Sequence, residues 1–470
     1  MTHPMRVFWK RGEITVFVSL MLAVLLFFFE AAFESARNAM LRTEFEEALE
    51  LAEYSVLSEY NADLLETYSL FYLDLGYGGS VEDTDYLDSR VTDFINENLS
   101  DGEVEALESW NYARATDDNG AGFYEQAVAY MKDKTGASLL EKLNEYEDYA
   151  GLSEDNGESY EDAEDSETQN LEELERRREE EEEESTQDVI SETNSLKLSS
   201  ILNLVVEDTE SLSAKEADLT EAPSNRTLLT GSGARGVYDT NAANDVFFLA
   251  YLLEFFPDAV DYLAEGEESG EYLDYALEYV IAGKSSDIAN LEAVCNRILL
   301  IREGMNYAYI LTDSEKVSEC AALAATLVGV TMIPGLVEAV KQVLLLTWAY
   351  AESLCDVRAL LSGESVTFYK SSSTWKLSLS NALDIDDVAD LDNDGDEGGL
   401  DYEDYLGILL TATARNNKMI RSLDLIEGVI RESSQGSSFY IDQCVDSFWI
   451  RVVCTNGTSL SAQRWFCYEW

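Results

Sequence analysis

The residues best suited to chemistry lie late in the chain. Asp390, Asp392 and Asp394 place an acid at every second position and run into Gly395. This D-x-D-x-D-G pattern is the first half of a calcium loop, where a hard cation gathers oxygens on a sharp turn that glycine permits. With Asp390 as position 1, Asp396 offers its carbonyl at position 7 and Asp401 falls at position 12. Three features depart from the pattern. Position 8 is Glu397 instead of an apolar anchor, Gly398-Gly399 adds slack, and Asp401 is one methylene shorter than the usual bidentate glutamate. The competing reading is a solvated acidic loop whose last residue, Asp401, caps a helix starting at Tyr402. Calcium is the one cofactor this pattern offers, and nothing else in the chain requires a cofactor.

Other chemistries are removed by composition. The only histidine is His3, so the rest of the chain can form no Ser-His-Asp triad, no Cys-His dyad and no histidine zinc site. Ninety-three acids stand against thirty-one bases, a formal net charge of −62. That charge repels phosphate, so nucleic acid is excluded as a partner. Acids are so frequent that pairs of them single out no glycosidase site, and no enzymatic function is expected. The motif Gly231-Ser232-Gly233-Ala234-Arg235-Gly236 matches GxGxxG, but no full apolar strand and no βαβ series surrounds it. It reads as a flexible loop.

Six cysteines occur at 295, 320, 355, 444, 454 and 467, without a CxxC pair. The first three fall on helical patterns and read as small buried apolar residues. Near the C-terminus, Asn456-Gly457 between two β-prone runs signals a two-residue hairpin turn. That turn pairs Thr455 with Thr458 and brings Cys444 within one diagonal step of Cys467, the most favoured of the possible disulfides.

The element that must position all of this is at the other end. Ile14 to Phe29 is free of charge, and the apolar run can extend to Phe33. About 20 helical residues span a hydrocarbon core of roughly 30 Å. Arg6, Lys10 and Arg11 precede the run with no acid before it, and positive residues stay on the cytoplasmic side. The expectation is a single-pass protein at the cell membrane, N-terminus inside and the remainder outside. A cleaved signal peptide, a buried core helix and a plain anchor are the competing readings; small residues for signal peptidase are interrupted by Glu30, Phe33 and Glu34.

Along the chain the expected parts are a basic leader (1–12), a transmembrane helix (13–33), a membrane-proximal α+β part (34–150), an acidic disordered insert (151–195), and a mainly helical region with a C-terminal β part (196–470). Leu41, Phe45, Ala48, Ala52, Val56, Tyr60, Leu64 and Tyr68 recur at steps of three and four, so the first helix continues as an amphipathic one toward residue 75. Residues 154–192 contain nineteen acids, including six in a row at Glu179–Glu184, and read as unable to bury a core. Beyond them, helices are expected over Asp245–Leu263, Asp287–Ile310 and Leu336–Leu361. Cys320–Ile333 is too short to span and reads as a core helix. The fold class is α+β, mainly helical with a C-terminal β hairpin or sheet.

A basic leader, Gly12, an apolar helix and an amphipathic continuation form the plan of type IV pilin-like subunits. The start resembles the pseudopilins of tight-adherence (Tad/Flp) systems, of TadE and TadG type. That resemblance implies processing at Gly12, leaving Glu13 first; it departs in having Phe17 where a pilin usually carries glutamate. Five further stretches resemble an uncharacterised extracytoplasmic family of Gram-positive anaerobes associated with Tad-like machinery: Tyr54–Leu75, Gly120–Lys132, Leu277–Tyr309, Leu346–Trp375 and Tyr402–Leu410. The resemblance implies a structural or assembly role among pilus or pseudopilin subunits, and no catalytic residues. The alternative is an anchored extracellular binding module, calcium-dependent if the Asp390 loop is loaded.

Overall fold

The computed structural model of the chain describes residues 9–100, 102–134, 136–179, 200–206, 208–231, 241–265, 272–328, 335–383, 395–432, 438–455 and 459–468. In order, the main elements are α1 (Trp9–Leu57), α2 (Ala62–Tyr68), β1 (Leu73–Asp74), α3 (Thr84–Glu97), β2 (Glu103–Arg114), α4 (Asp117–Lys134) and α5 (Ala137–Glu179). There follow α6 (Ala242–Phe255), α7 (Ala276–Ala282), α8 (Asp287–Ile310), α9 (Ser314–Val328), α10 (Leu336–Leu361), α11 (Tyr402–Ala412), α12 (Arg415–Glu432), β3 (Cys444–Thr455) and β4 (Ser459–Cys467). This is the expected α+β class, mostly helical with a C-terminal antiparallel sheet and a long N-terminal apolar helix.

Two cores exist. The larger is helical, with α8, α10, α5, α11 and α12 enclosing Trp348, Tyr146, Tyr160, Tyr279 and Tyr405. The smaller lies under the sheet. There Phe45, Ala48, Leu49, Ala52 and Val56 of α1 meet Leu87, Val91 and Ile95 of α3 and Phe448, Ile450 and Val452 of β3. Each set repeats at three and four residues on the helices and at two on the strand, the spacing that aims side chains to one face.

α1 ends earlier than its periodicity predicts. The chain breaks after Leu57, and Asn61 restarts it by accepting a hydrogen bond from the Leu64 amide at 3.0 Å. The break has a packing reason. Phe45 to Leu57 face the sheet core, whereas Leu64 and Tyr68 belong to the helical core. One straight helix could not serve both.

The acidic stretch differs more. Residues 151–179, expected to be disordered, belong to α5. Its buried positions are Leu143, Tyr146, Ser153, Gly157 and Tyr160, with Ala150 and Ala163 partly buried. They recur at three and four residues, but four of them are serine, glycine or alanine, so the stripe is hidden among the acids. Small residues let the helices approach closely. A Cβ added at Gly304 of α8 would lie 2.7 Å from the carbonyl carbon and oxygen of Asn156 and 2.8 Å from the Gly157 amide.

In the sheet β3 is central, with β2 on one side and β4 and β1 on the other, all antiparallel. Thr455 pairs with Ser459 and Ser447 with Cys467. The register is therefore one residue away from the expected Thr455–Thr458 pairing. One residue reverses the face of every side chain. Cys467 stands across from Ser447 while Cys444 stands across from Asp74, three residues along β3 and on the other face. The register does not bring Cys444 to Cys467, and the expected pairing is corrected accordingly. Cys295, Cys320 and Cys355 are buried, unbridged thiols, as their helical patterns predict.

Gly304→Ala tests the hold on α5. It is expected to cost about 1–3 kcal/mol in chemical denaturation, and limited proteolysis should cut within 151–179 faster than in the parent protein. Unchanged proteolysis would show that the contact is not what seats the helix.

Candidate functional site

The feature that sets this molecule apart is the unburied half of α1. From Ile14 to Met40 every residue is exposed. Phe27, Phe28 and Phe29 are 70%, 70% and 72% exposed, although successive residues on a helix point about 100° apart. No face of this stretch packs on the protein. Among the described residues one helix is long and apolar enough to cross a membrane, and it is α1.

Its other half is firmly mounted. Arg464 of β4 donates to the Glu53 carboxylate at 2.7 Å, Tyr468 donates to the Leu57 carbonyl at 2.8 Å, and the Ser100 amide donates to Glu44 at 2.5 Å. Arg90 of α3 pairs with Glu59 just past the helix end. Residues 34–40 form an exposed stalk of about 10 Å, taking 1.5 Å per residue. Gly12 lies inside α1, with Glu13 following it in the same helix.

The predicted calcium loop is divided. Asp390, Asp392 and Asp394 lie outside the described residues. Asp396 accepts hydrogen bonds from the Thr367 amide at 3.0 Å and hydroxyl at 2.8 Å. Asp401 is the N-cap of α11: it accepts from the Asp404 amide at 2.9 Å while its own amide donates to Asp404 at 3.1 Å. Asp404 in turn receives Tyr146 and Lys142 of α5, each at 2.7 Å. Both described carboxylates of the motif are thus engaged by the protein. Among the described residues no group of three or more histidine, cysteine, aspartate or glutamate side chains could hold a metal ion. Of the GxGxxG motif only Gly231 is described, and its amide donates to Asp117 at 2.7 Å.

Sequence reading missed a buried acid. Glu278 of α7 has no solvent exposure; one oxygen accepts from Tyr402 at 2.7 Å and from the Ala259 amide at 3.0 Å, and the other has no partner among the described residues. Burial, with Asp258 nearby, pushes its carboxyl up to about 8. Burial also pushes Asp258 up to about 6. A glutamate in the run LEYVIA carries no mark of this, because both neighbours come from elsewhere in the chain.

A bare helix of membrane-spanning length rooted in a folded head is compatible with a single-pass membrane anchor. Residues 179–456 match the family described as Family of unknown function (DUF5702), and the chain belongs to that family. The match starts at the last residue of α5 and ends one residue past β3, so α1 lies ahead of it. No curated protein matches the chain, and no solved structure does.

Two outcomes follow. Asp401→Ala is expected to cost about 1 kcal/mol through the lost cap, equally in excess calcium and in chelator; a loss confined to calcium-loaded protein would give the loop a metal. Glu278 makes stability depend on pH. Between about 4.5 and about 8 the folded chain keeps a proton that the unfolded chain releases, so stability falls as pH rises through that window. Glu278→Gln should flatten this fall, read as the denaturation midpoint at several pH values. A fall of the same size in the variant would place the titration elsewhere.

Proposed function

We propose that this chain is a single-pass membrane protein with its head outside the cell, serving as a structural or assembly component of a Tad/Flp-type pilus system in the manner of a pseudopilin. The observation that carries the reading is α1, a single helix of 49 residues whose first half is apolar and bare and whose second half is core. A subunit that moves from lipid into an assembly needs such an element. Lipid and the packed interior of a filament both accept an apolar helix whose backbone groups are bonded internally. The basic leader, Gly12 and the TadE/TadG-like start add to this reading. The basic residues ahead of the apolar run favour an N-terminus on the cytoplasmic side. The partners are other pilus or pseudopilin subunits, met through α1. The role is non-enzymatic.

Intact mass and N-terminal sequencing of the protein from its native membrane test this. A chain beginning at Glu13 is expected, together with α1-to-α1 crosslinks to other subunits from cysteines placed at exposed positions such as Met40. A chain that begins at Met1 and crosslinks to nothing would leave only a plain anchor. A start beyond Phe29 would overturn the anchored reading altogether.

A further inference from the structure

The outer face of the sheet carries an arrangement that the anchor does not use. Trp110 of β2 pairs across the sheet with Trp449 of β3, and Trp449 pairs with Trp465 of β4. Directly paired residues share a face. Their neighbours Phe448, Ile450 and Phe466 are fully buried on the opposite side. Three indoles therefore form a row across three strands on the face away from α1. Trp110 and Trp449 are half-buried, with centroids 6.4 Å apart and planes at 28°, and Trp465 is 38% exposed. The row spans about 10 Å, two strand spacings.

Polar groups flank it. The Arg451 guanidinium sits over the Trp110 ring at 5.2 Å and pairs with Glu108 at 3.7 Å. In the amide orientation that satisfies both side chains, Gln463 accepts from Arg451 at 3.1 Å. A rigid sheet thus presents flat apolar rings beside fixed donors and acceptors.

We infer that this row is a binding site for an extended, uncharged glycan strand. Sugar rings have an apolar face of C–H groups, which stacks on indole, and a rim of hydroxyls, which Arg451, Glu108 and Gln463 can meet. Rigid aromatics lose little entropy on binding, so stacking adds affinity at low cost. Other occupants fit less well. Anionic polymers meet a net charge of −62, and so does a second copy of the chain. A cationic partner finds the open face of Trp110 already taken by Arg451. Lipid headgroups are out of reach. The Arg464–Glu53 pair sets Trp465 level with residue 53 of α1, twenty residues beyond Phe33, which is about 30 Å along the helix. The inference is independent of the pilus reading and needs only a head that stands outside the membrane.

The test uses the full chain in detergent micelles, titrated with cellohexaose and with chitohexaose, both neutral β-1,4-linked chains. Tryptophan emission and calorimetry report binding. Saturable binding of at least one hexasaccharide is expected. Trp465→Ala should weaken it about tenfold or more, as the loss of an aromatic anchor does. Arg451→Gln should weaken it less, and Tyr369→Ala, an exposed aromatic away from the sheet, should leave it unchanged. Thermal unfolding of each variant controls for folding, and Trp465→Phe retains a ring if the alanine variant is unstable. The inference is overturned if neither hexasaccharide binds the folded parent chain. It is also overturned if Trp465→Ala and Trp465→Phe bind as the parent does, or if sedimentation shows a dimer that Trp465→Ala dissociates.

Discussion

Four charges without water hold the helical body together. Arg302 of α8, Glu352 and Asp356 of α10, and Lys370 of the segment after it have side chains with no solvent exposure. Taking them out of water is costly, and only complete pairing offsets it. The pairing is complete. Arg302 donates to Asp356, to the Phe368 carbonyl and to Tyr405, each at 3.0 Å. Lys370 donates to Glu352 at 2.8 Å and to Asp356 at 2.7 Å, and Glu352 also accepts the Lys376 and Leu377 amides, both at 2.9 Å. Burial pushes the Asp356 carboxyl up, yet Lys370 and Arg302 beside it hold it below the ordinary value. Two helices, the irregular chain from Phe368 to Leu377, and Tyr405 of α11 must keep their mutual places, since moving any one strands a buried charge.

A second polar junction ties that body to the sheet. Arg226 grips Glu427 of α12 at 2.6 Å and 2.8 Å and reaches Asp442, just ahead of β3, at 2.7 Å. Arg114, at the end of β2, donates to the Asp442 carbonyl at 2.7 Å. Arg226 and Arg431 both lie over the Tyr440 ring, at 5.0 Å and 4.1 Å. β3 itself belongs to both cores, with Cys444 in the helical one and Val445 onward in the other. α1 is rooted in the second core, so its mounting is continuous with the charged centre of the first. A helix fixed at its base in this way is compatible with a single-pass membrane anchor.

Much of the fold was readable locally. Asp287–Ile310 and Leu336–Leu361 are predicted to the residue because long apolar repeats run through both and Ser362-Gly363 stops the second; in the structure Ser286 caps the first. α11 is announced by Asp401 as its cap. The pattern of α12 is harder to read: Met419, Leu423, Ile426 and Ile430 stand at helical steps, but the polar residues between them, Ser422, Asp424 and Glu427, are buried too and blur the stripe. Of the candidate site residues, Asp396 and Asp401 proved to be bonded within the protein, and the buried Glu278 gave no signal because its partners are distant in sequence.

By itself the sequence determined the apolar span of α1, the class of the fold and the bounds of the helices Asp287–Ile310 and Leu336–Leu361. These depend on periodicity, charge and caps within a turn or two of chain, which every window of residues carries whole. Tertiary structure alone decided three things. It broke the first helix after Leu57, because the residues on either side of the break serve different cores. It folded the acidic stretch into α5, because glycine and serine become a packing face only when another helix is there to meet them. It also set the register of β3 against β4, which parts Cys444 from Cys467 and lines up Trp110, Trp449 and Trp465. Register is a relation between strands far apart in the chain, and with a period of two a shift of one residue reverses it.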